Sequence, residues 1–243
     1  MASARPQRAA ADDPVLGQLA DDGIYLGITA WAQLGQPECG ALYPPAASSA
    51  EERLRFYASR YPITEVDSAF YYPPAEQTAE LWAQRTPSGF TFDVKAFRLL
   101  TQHPTPPDAL WPDLREALPA DQAGKRLIYL RNLPDEVVAE AFRRFAGALE
   151  PLRTAGRLGV ATFQLPRYVY PSRKSSGYLE RVAGELPRLR VAVEFRQPRW
   201  TVWGSVVSAR SGVTPTTTPR KSSPNGCRRS IRCTPEAGRC TCL

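Results

Sequence analysis

The sequence predicts an α/β protein in which about five parallel strands and their helices form an incomplete TIM-like (β/α) barrel. Three observations lead to this fold class. Short apolar runs alternate with amphipathic helical patterns between residues 23 and 203, which is typical of a parallel sheet covered by helices. The 243-residue length is near the ~250 residues of an eight-unit barrel. The alternation stops after Trp203, and five strands cannot close a barrel that needs eight.

The strands are predicted from short apolar runs, which lie at 24–28, 63–67, 90–94, 158–163 and 190–195. Helices are predicted where apolar residues recur at helical spacing, and these segments cover 49–61, 76–85, 134–154 and 178–186. Ser49 and Glu52 fit a capping box at the first helix. The Pro-rich stretch 97–126 is interpreted as a long insertion above the barrel. Residues 127–130 fit either a small strand or a packed loop.

Both ends of the chain differ from this pattern. Residues 1–22 are rich in Ala and Asp, and we expect a mobile leader there. Residues 204–243 contain seven basic residues, one acid, 12 Ser or Thr and no aromatic residue. This tail therefore carries +6 of the net charge of +7. It is either a natural disordered basic tail or the product of a changed reading frame, and the abrupt end of the pattern favours the second interpretation.

Composition also limits the classes of protein that need to be considered. No apolar run approaches the ~18 residues of a membrane helix, and without a signal-like segment we expect a cytoplasmic protein. Because residues 1–203 sum to only +1, nucleic acid is not an expected partner of the part that can fold. The chain has a single His, His103, interpreted as a loop residue, which disfavours a metal-dependent barrel. No cofactor-binding motif is found.

Polar residues alternate along the predicted strands and define the candidate site. The pairs that share one face of a strand are Glu65 and Asp67, Asp93 and Lys95, Thr162 and Gln164, and Glu194 and Arg196. Function in such barrels is located at the C-terminal ends of the strands. If these faces point inward, carboxylates and cations converge in the upper barrel, where they must pair or bind a ligand.

Two interpretations of this polar face stay open. It is either an internal network of ion pairs or an anion-binding pocket with acid–base chemistry. In the second case, Lys95 and Arg196 hold a carboxylate or phosphate, and Glu65 or Glu194 is the general acid or base. The catalytic set is Glu65, Lys95 and Glu194, and the substrate-binding set is Asp67, Tyr71, Gln164 and Arg196. Three aromatic residues, Trp31, Tyr71 and Tyr72, follow the ends of predicted strands. They are interpreted either as walls of a pocket or as residues that pack within the loops.

Several of these segments resemble a known family when taken in order. The matching stretches are 27–31 with 43–45, 65–71, 94–96 with Thr101 and His103, 163–166, and 193–200. Together they resemble the YecE-like family, which is also called domain of unknown function 72. The resemblance covers about residues 24–203. The resemblance implies a TIM-type barrel that continues through further strands where this chain has its tail. It implies no particular reaction.

Three functions follow as hypotheses. The leading one is a metal-independent barrel enzyme that acts on a small anionic molecule and is inactive in this incomplete form. The second is a module that binds nucleic acid or another anionic polymer through charge. The third is a non-functional fragment produced by a frameshift.

Overall fold

Four parallel strands form the sheet that carries the candidate site. The computed structural model describes residues 18–19, 22, 24–31, 43–44, 47–200, 231–234 and 239–242. A two-residue strand β1 (Tyr25–Leu26) comes first, followed by the sheet strands β2 (Ile63–Val66), β3 (Thr91–Lys95), β4 (Leu158–Leu165) and β5 (Val191–Phe195). These four lie side by side in chain order and all run parallel. The prediction of a mixed α/β protein with a parallel sheet is confirmed.

The segment after β1 lies beside β2. The Ala30 N–H donates to the Glu65 carbonyl at 3.1 Å, and the Glu65 N–H donates to the Ile28 carbonyl at 3.4 Å. This parallel bridge is centred on Thr29 and Glu65. The first predicted strand therefore occupies the expected position next to β2, although only two of its residues form a regular strand.

Six helices connect and cover the strands in the described residues. They are α1 (Ala50–Arg60), α2 (Glu76–Gln84), α3 (Pro112–Glu116), α4 (Ala120–Ala123), α5 (Asp135–Thr154) and α6 (Arg173–Glu185). Short 3₁₀ turns lie at Ser68–Phe70, Pro107–Ala109 and Leu130–Asn132. Ser49 caps α1, and its capping box with Glu52 is present as predicted. No helix among the described residues has the length and apolar character needed to cross a membrane.

One face of the sheet and the helices over it form the hydrophobic core. Val66, Phe92, Val94, Ala161 and Phe163 alternate with the polar residues and are almost fully buried. The 20-residue helix α5 packs an apolar stripe on this layer, and its Phe145 ring meets Phe163 edge to face at 6.4 Å. Burial of this kind stabilises the folded state by roughly 25 cal/mol per Å² of apolar surface. Because successive side chains of a strand point to opposite faces, burying these residues directs their polar neighbours to the other face.

Two predictions about the middle of the chain can be compared with the structure. The stretch 97–126 begins inside the core, because Phe97, Leu99 and Leu100 are 0% exposed. Helix α6 begins five residues before the predicted start at Tyr178. Its first turn is polar, so the apolar periodicity does not reach it. A capping box at Ser172 and Ser175 sets its beginning instead.

Residues 127–130 form a packed loop rather than a strand. Ile128 is fully buried, and a single antiparallel bridge joins it to Thr105. This outcome decides between the two interpretations of that segment.

The tail contains regular backbone that the sequence did not predict. β6 (Ile231–Thr234) and β7 (Arg239–Cys242) pair antiparallel, and β7 pairs parallel with β1. The composition argument for the tail considered only apolar burial, whereas strand pairing satisfies backbone N–H and C=O groups without it. The rest of the tail and nearly all of the expected leader 1–22 lie outside the described residues.

Candidate functional site

The second face of the four-stranded sheet is polar, as the alternation predicted. Cross-strand partners on this face are Glu65 with Asp93, Lys95 with Thr162, and Gln164 with Glu194. These positions come from four neighbouring strands and rise toward the carboxyl ends of the strands. The structure therefore brings together the strand residues that the sequence singled out.

Asp67 and Lys95 form an ion pair at the carboxyl ends of β2 and β3. The Lys95 Nζ atom donates to the Asp67 Oδ1 atom. Both side chains stay partly accessible, at 18% for Lys95 and 30% for Asp67. An ammonium group has three donors, so the pair leaves Lys95 able to contact a ligand on its open side.

Glu194 is held by two N–H donors at the end of β5. The Gln164 Nε2 atom donates to Glu194 Oε2 at 2.6 Å, and the Arg196 Nε atom donates to Glu194 Oε1 at 3.1 Å. The Arg196 side chain is 41% exposed, and its two terminal nitrogens extend beyond this contact. These bonds orient the carboxylate, which is the requirement for an acid–base group that must meet its substrate in one geometry.

Glu65 lies one layer deeper than Lys95 and Glu194. It is 5% exposed, and the Thr29 hydroxyl donates to its Oε2 atom at 3.4 Å. Its neighbour Asp93 is also 5% exposed and accepts the Val160 N–H at 2.9 Å. Asp93 thus supports the register shift between β3 and β4. A ligand at the rim reaches Lys95 and Glu194 before it reaches Glu65.

The aromatic residues after the strands divide into two groups. Trp31 is 6% exposed and packs edge to face on Trp82 at 5.3 Å, so it belongs to the core. Tyr71 and Tyr72 are 51% and 58% exposed. Of these residues, the two tyrosines remain candidates for ligand contact.

Two cationic or titratable residues near the site come from the loop after β3. The Arg98 N–H donates to the Phe70 carbonyl at 2.8 Å, and the His103 ring meets the Phe70 ring at 5.0 Å. Sequence reasoning did not select Arg98, and it assigned His103 to an ordinary loop. Neither residue lies in a segment with a periodic apolar pattern. Their position shortly after the third predicted strand was the signal in the sequence that could have suggested a place near the site.

His103 has a strongly perturbed titration. The pKa of His103 is lowered to about 4, mainly by burial and next by the positive charges of Arg98, Arg196 and Lys95, while a hydrogen bond with the Thr101 backbone acts in the opposite direction. The imidazole is therefore neutral at pH 7. His103 lies on the loop that follows Lys95, and the Arg98–Phe70 hydrogen bond connects this loop to the turn that follows Asp67.

The arrangement combines three kinds of chemical group at one edge of the sheet. It has paired carboxylates, two partly accessible cations and a neutral imidazole, which suit anion binding and proton transfer. In the described part of the chain, no three His, Cys, Asp or Glu side chains gather as metal ligands would.

These observations define a class: an α/β protein with a parallel sheet, one apolar face and one polar face ending in a charged rim. The sequence profile of the family described as "Protein of unknown function DUF72" matches residues 25–209, which is more than half of the chain. The protein belongs to the DUF72 family. The predicted resemblance to the YecE-like family is confirmed.

A curated relative and solved structures agree with this assignment. The UPF0759 protein YunF of Bacillus subtilis (strain 168) is 27% identical over 177 residues, which are 73% of this chain and 52% of YunF. A DUF72 family protein (EF0366) from Enterococcus faecalis V583 is similar in structure with a TM-score of 0.52, 20% identity and coverage of 73% of this chain and 52% of that one. The chain spans about half the length of these relatives.

A second similar structure comes from Thermotoga maritima. The DUF72 family protein (TM1631) of Thermotoga maritima MSB8 has a TM-score of 0.49 and 22% identity, covering 73% of this chain and 57% of that chain.

Proposed function

We propose that the protein is a metal-independent TIM-type barrel enzyme that binds a small anionic substrate at the carboxyl ends of its strands. The observation that carries this proposal is the polar face of the sheet, which ends in the Asp67–Lys95 and Glu194–Arg196 pairs. Side chains of these types are costly to bury unless they pair or bind a ligand. Both pairs keep accessible surface at the rim, where barrel enzymes have their active sites.

The roles follow from the contacts. Lys95 and Arg196 hold the anion, because each has donors left beyond its carboxylate partner. Glu194 is the general acid or base, oriented by Gln164, and Glu65 is the deeper candidate for the same role. Asp67 sets the position of the Lys95 ammonium, and the exposed Tyr71 covers the ligand. Metal independence is part of the proposal because the chain has one His.

A ligand-binding experiment tests this function against a purely structural ion-pair network. Thermal unfolding is measured with phosphate, sulfate, citrate and acetate at constant ionic strength. An anion that binds the native state stabilises it by RT ln(1 + [L]/Kd) and so raises Tm as its concentration increases above Kd. We expect the increase to disappear in Lys95→Met and Arg196→Met and to persist in Lys125→Met, a matched control whose ammonium lies 3.9 Å from Asp121 at the surface.

The double variant Asp67→Leu/Lys95→Met separates the two interpretations. Replacing a partly buried ion pair by apolar side chains is often neutral or stabilising. The proposal expects near-normal stability of this variant with no response to anions. If anions still raise its Tm as in the parent chain, the pair is structural and the proposed site is wrong. Ligands found by this route then serve for turnover assays in an intact relative, with and without the substitution that corresponds to Glu194→Gln.

The fold proposal goes further than the observed sheet. We infer that β5 is followed in an intact barrel by strands that residues 204–243 do not provide, and that this form is inactive. The composition of those residues supports a changed reading frame. Translation of the nucleotide sequence after codon 203 in the other two frames tests it, since one frame must resume the strand–helix alternation. The predicted cytoplasmic location can be tested by cell fractionation.

The basic tail favours one alternative function. Because it holds +6 of the +7 net charge, it can bind nucleic acid or another anionic polymer without sequence preference. That alternative predicts an affinity that falls steeply with salt and is lost when residues 204–243 are removed.

A further inference from the structure

Direct contacts hold together the two loops that follow β4 and β5. The Trp200 Nε1 atom donates to the Val169 carbonyl at 2.8 Å, and the Gln197 Nε2 atom donates to the Arg167 carbonyl at 3.0 Å. The Trp200 ring is 3% exposed and stacks on Phe195 at 4.4 Å. These contacts fix the loop after β5 against the loop after β4.

The loop after β4 presents two tyrosines that are anchored and accessible at the same time. The Tyr168 hydroxyl donates to the Gln102 carbonyl at 2.6 Å, which joins this loop to the loop after β3. The Ser175 hydroxyl in the first turn of α6 donates to the Tyr170 carbonyl at 2.8 Å. Tyr168 and Tyr170 are nevertheless 48% and 50% exposed. Two aromatic rings therefore face solvent from a loop whose position is fixed by its neighbours.

The same two loops carry a local excess of positive charge. Residues 166–174 and 196–200 contain five basic side chains and no Asp or Glu, although residues 1–203 sum to only +1. Arg196 pairs with Glu194. The Arg199 guanidinium lies 5.5 Å from the centre of the Tyr170 ring. Four of the five cations are exposed and form no ion pair with another described residue, namely Arg167, Arg173, Lys174 and Arg199.

These four cations and the two tyrosines are called the aromatic–basic surface below. We propose that it binds a short stretch of single-stranded nucleic acid. Cations that track the phosphates and aromatic rings that stack on the bases are the two elements of binding to single strands without sequence preference. An Arg beside an aromatic ring adds a cation–π contribution. A double helix conceals the faces of its bases, so exposed rings favour a single strand.

This inference goes beyond the proposed function, because it uses neither Lys95 nor Glu194. It also differs from the alternative in which the tail binds nucleic acid through charge alone. A surface that stacks on bases distinguishes a nucleic acid from other polymers with the same charge, and the tail has no aromatic residue.

A pair of matched ligands tests the stacking. Binding of the full chain to a fluorescein-labelled oligothymidylate of about 12 nucleotides, within the usual range for one binding domain, is measured by fluorescence anisotropy. An abasic oligomer of the same length keeps the phosphates and lacks the bases. We expect the oligothymidylate to bind more tightly by about fivefold or more, which corresponds to one stacked base. Equal affinities, or no binding of either ligand, would overturn the proposal.

Tyrosine variants locate the stacking on this surface. Tyr168→Ala and Tyr170→Ala should each raise the Kd of the oligothymidylate about 5- to 100-fold and leave the Kd of the abasic oligomer unchanged. Tyr72→Ala is the matched control, because Tyr72 is 58% exposed and follows β2. Tyr168→Phe keeps the ring and loses the bond to Gln102, so it should bind like the parent chain. A loss in Tyr168→Phe as large as in Tyr168→Ala would overturn the stacking role.

Cation variants test the phosphate contacts. Arg167→Met and Arg199→Met should weaken both ligands and reduce the salt dependence, with a slope of log K against log salt that falls by about 0.7 for each lost contact. Arg55→Met is the control, because Arg55 is exposed and pairs with Glu51 on α1 at 3.0 Å. Unchanged slopes in Arg167→Met and Arg199→Met would contradict the phosphate contacts.

Two further measurements separate this surface from other sources of binding. If Arg228→Met/Arg229→Met in the tail abolished binding while the variants of the aromatic–basic surface bound like the parent chain, the proposed location would be wrong. Phosphatidylserine vesicles that bound through Tyr168 and Tyr170, without binding of the oligothymidylate, would assign the surface to lipid and overturn the proposal. The anion response through Lys95 is a separate measurement, so the proposed function would stand in both cases.

Discussion

The Val160 N–H donates to the Asp93 Oδ1 atom at 2.9 Å, and this bond spans the register shift between β3 and β4. Gly159 makes the approach of the two groups feasible. A Cβ atom at Gly159 would stand 2.2 Å from Asp93 Oδ1 and 2.6 Å from Thr91 Cγ2. Both neighbours are side chains of the polar face, so the small residue at 159 preserves the arrangement below Lys95.

Gly159→Ala should therefore destabilise the protein. The added methyl group has to displace a buried carboxylate, and overpacking of this kind costs about 1–3 kcal/mol. The matched control is Gly177→Ala in the interior of α6, where a Cβ atom meets nothing within 4 Å and where Ala stabilises by roughly 0.5–1 kcal/mol. Urea denaturation followed by circular dichroism measures both variants. Equal free energies of unfolding would contradict the tight approach.

Tyr57 joins the first segment to β2 through its hydroxyl group. That group donates to the Ile63 carbonyl at 2.8 Å and accepts the Ile28 N–H at 2.7 Å, while the side chain is fully buried. Tyr57→Phe leaves both backbone groups without this partner, and we expect a loss of about 1–3 kcal/mol. Tyr71→Phe at the exposed rim serves as the control, with a change within about 0.5 kcal/mol. Urea denaturation measures both variants. At equal m-values, a lower midpoint concentration of urea reports a lower free energy of unfolding.

The sequence predicted the elements that have a strong periodic signal. The apolar stripe of α5 and the alternation along the parallel strands follow from burial of one face. The same alternation put Lys95, Gln164 and Glu194 on a common side, as the strand register has them. Their chemical roles remain predictions, because geometry does not decide between a structural ion pair and a functional one.

Other parts of the site carry no periodic signal. Arg98 and His103 lie in a Pro-rich loop whose path depends on contacts with Phe70, which are distant in sequence. The start of α6 depends on hydroxyl groups at Ser172 and Ser175 rather than on an apolar pattern. The pairing of β7 with β1 joins opposite ends of the chain and cannot be read from local composition.

Trp31 and Tyr71 looked equivalent in the sequence, since each follows a predicted strand. The structure separates them, because Trp31 is 6% exposed and Tyr71 is 51% exposed. Trp31→Ala removes a ring that packs edge to face against both Trp82 and Phe92, and a loss of about 3–5 kcal/mol is expected. Tyr71→Ala should change stability by less than about 0.5 kcal/mol and should weaken the anion response instead. Thermal unfolding with and without phosphate measures both effects. A large loss of stability in Tyr71→Ala, with a weakened anion response in Trp31→Ala, would contradict these assignments.

The neutral state of His103 makes stability depend on pH in a defined window. Burial, the largest cause, lowers the pKa of His103 in the folded chain to about 4, whereas an unfolded chain has a value of about 6.5. Between these values the unfolded state binds a proton that the folded state does not. The free energy of unfolding should therefore fall as the pH drops from about 6.5 to about 4, with a His103 contribution no steeper than ~1.4 kcal/mol per pH unit.

His103→Asn removes that contribution while its amide can still donate to Thr101. The difference between parent and variant should therefore shrink or reverse as the pH falls through the window and stay constant above it. Urea denaturation at several pH values measures this difference, in acetate and MES buffers. If the free energies of unfolding of the two proteins changed with pH in parallel, His103 would have the same pKa in the folded and unfolded states, and the prediction would be wrong.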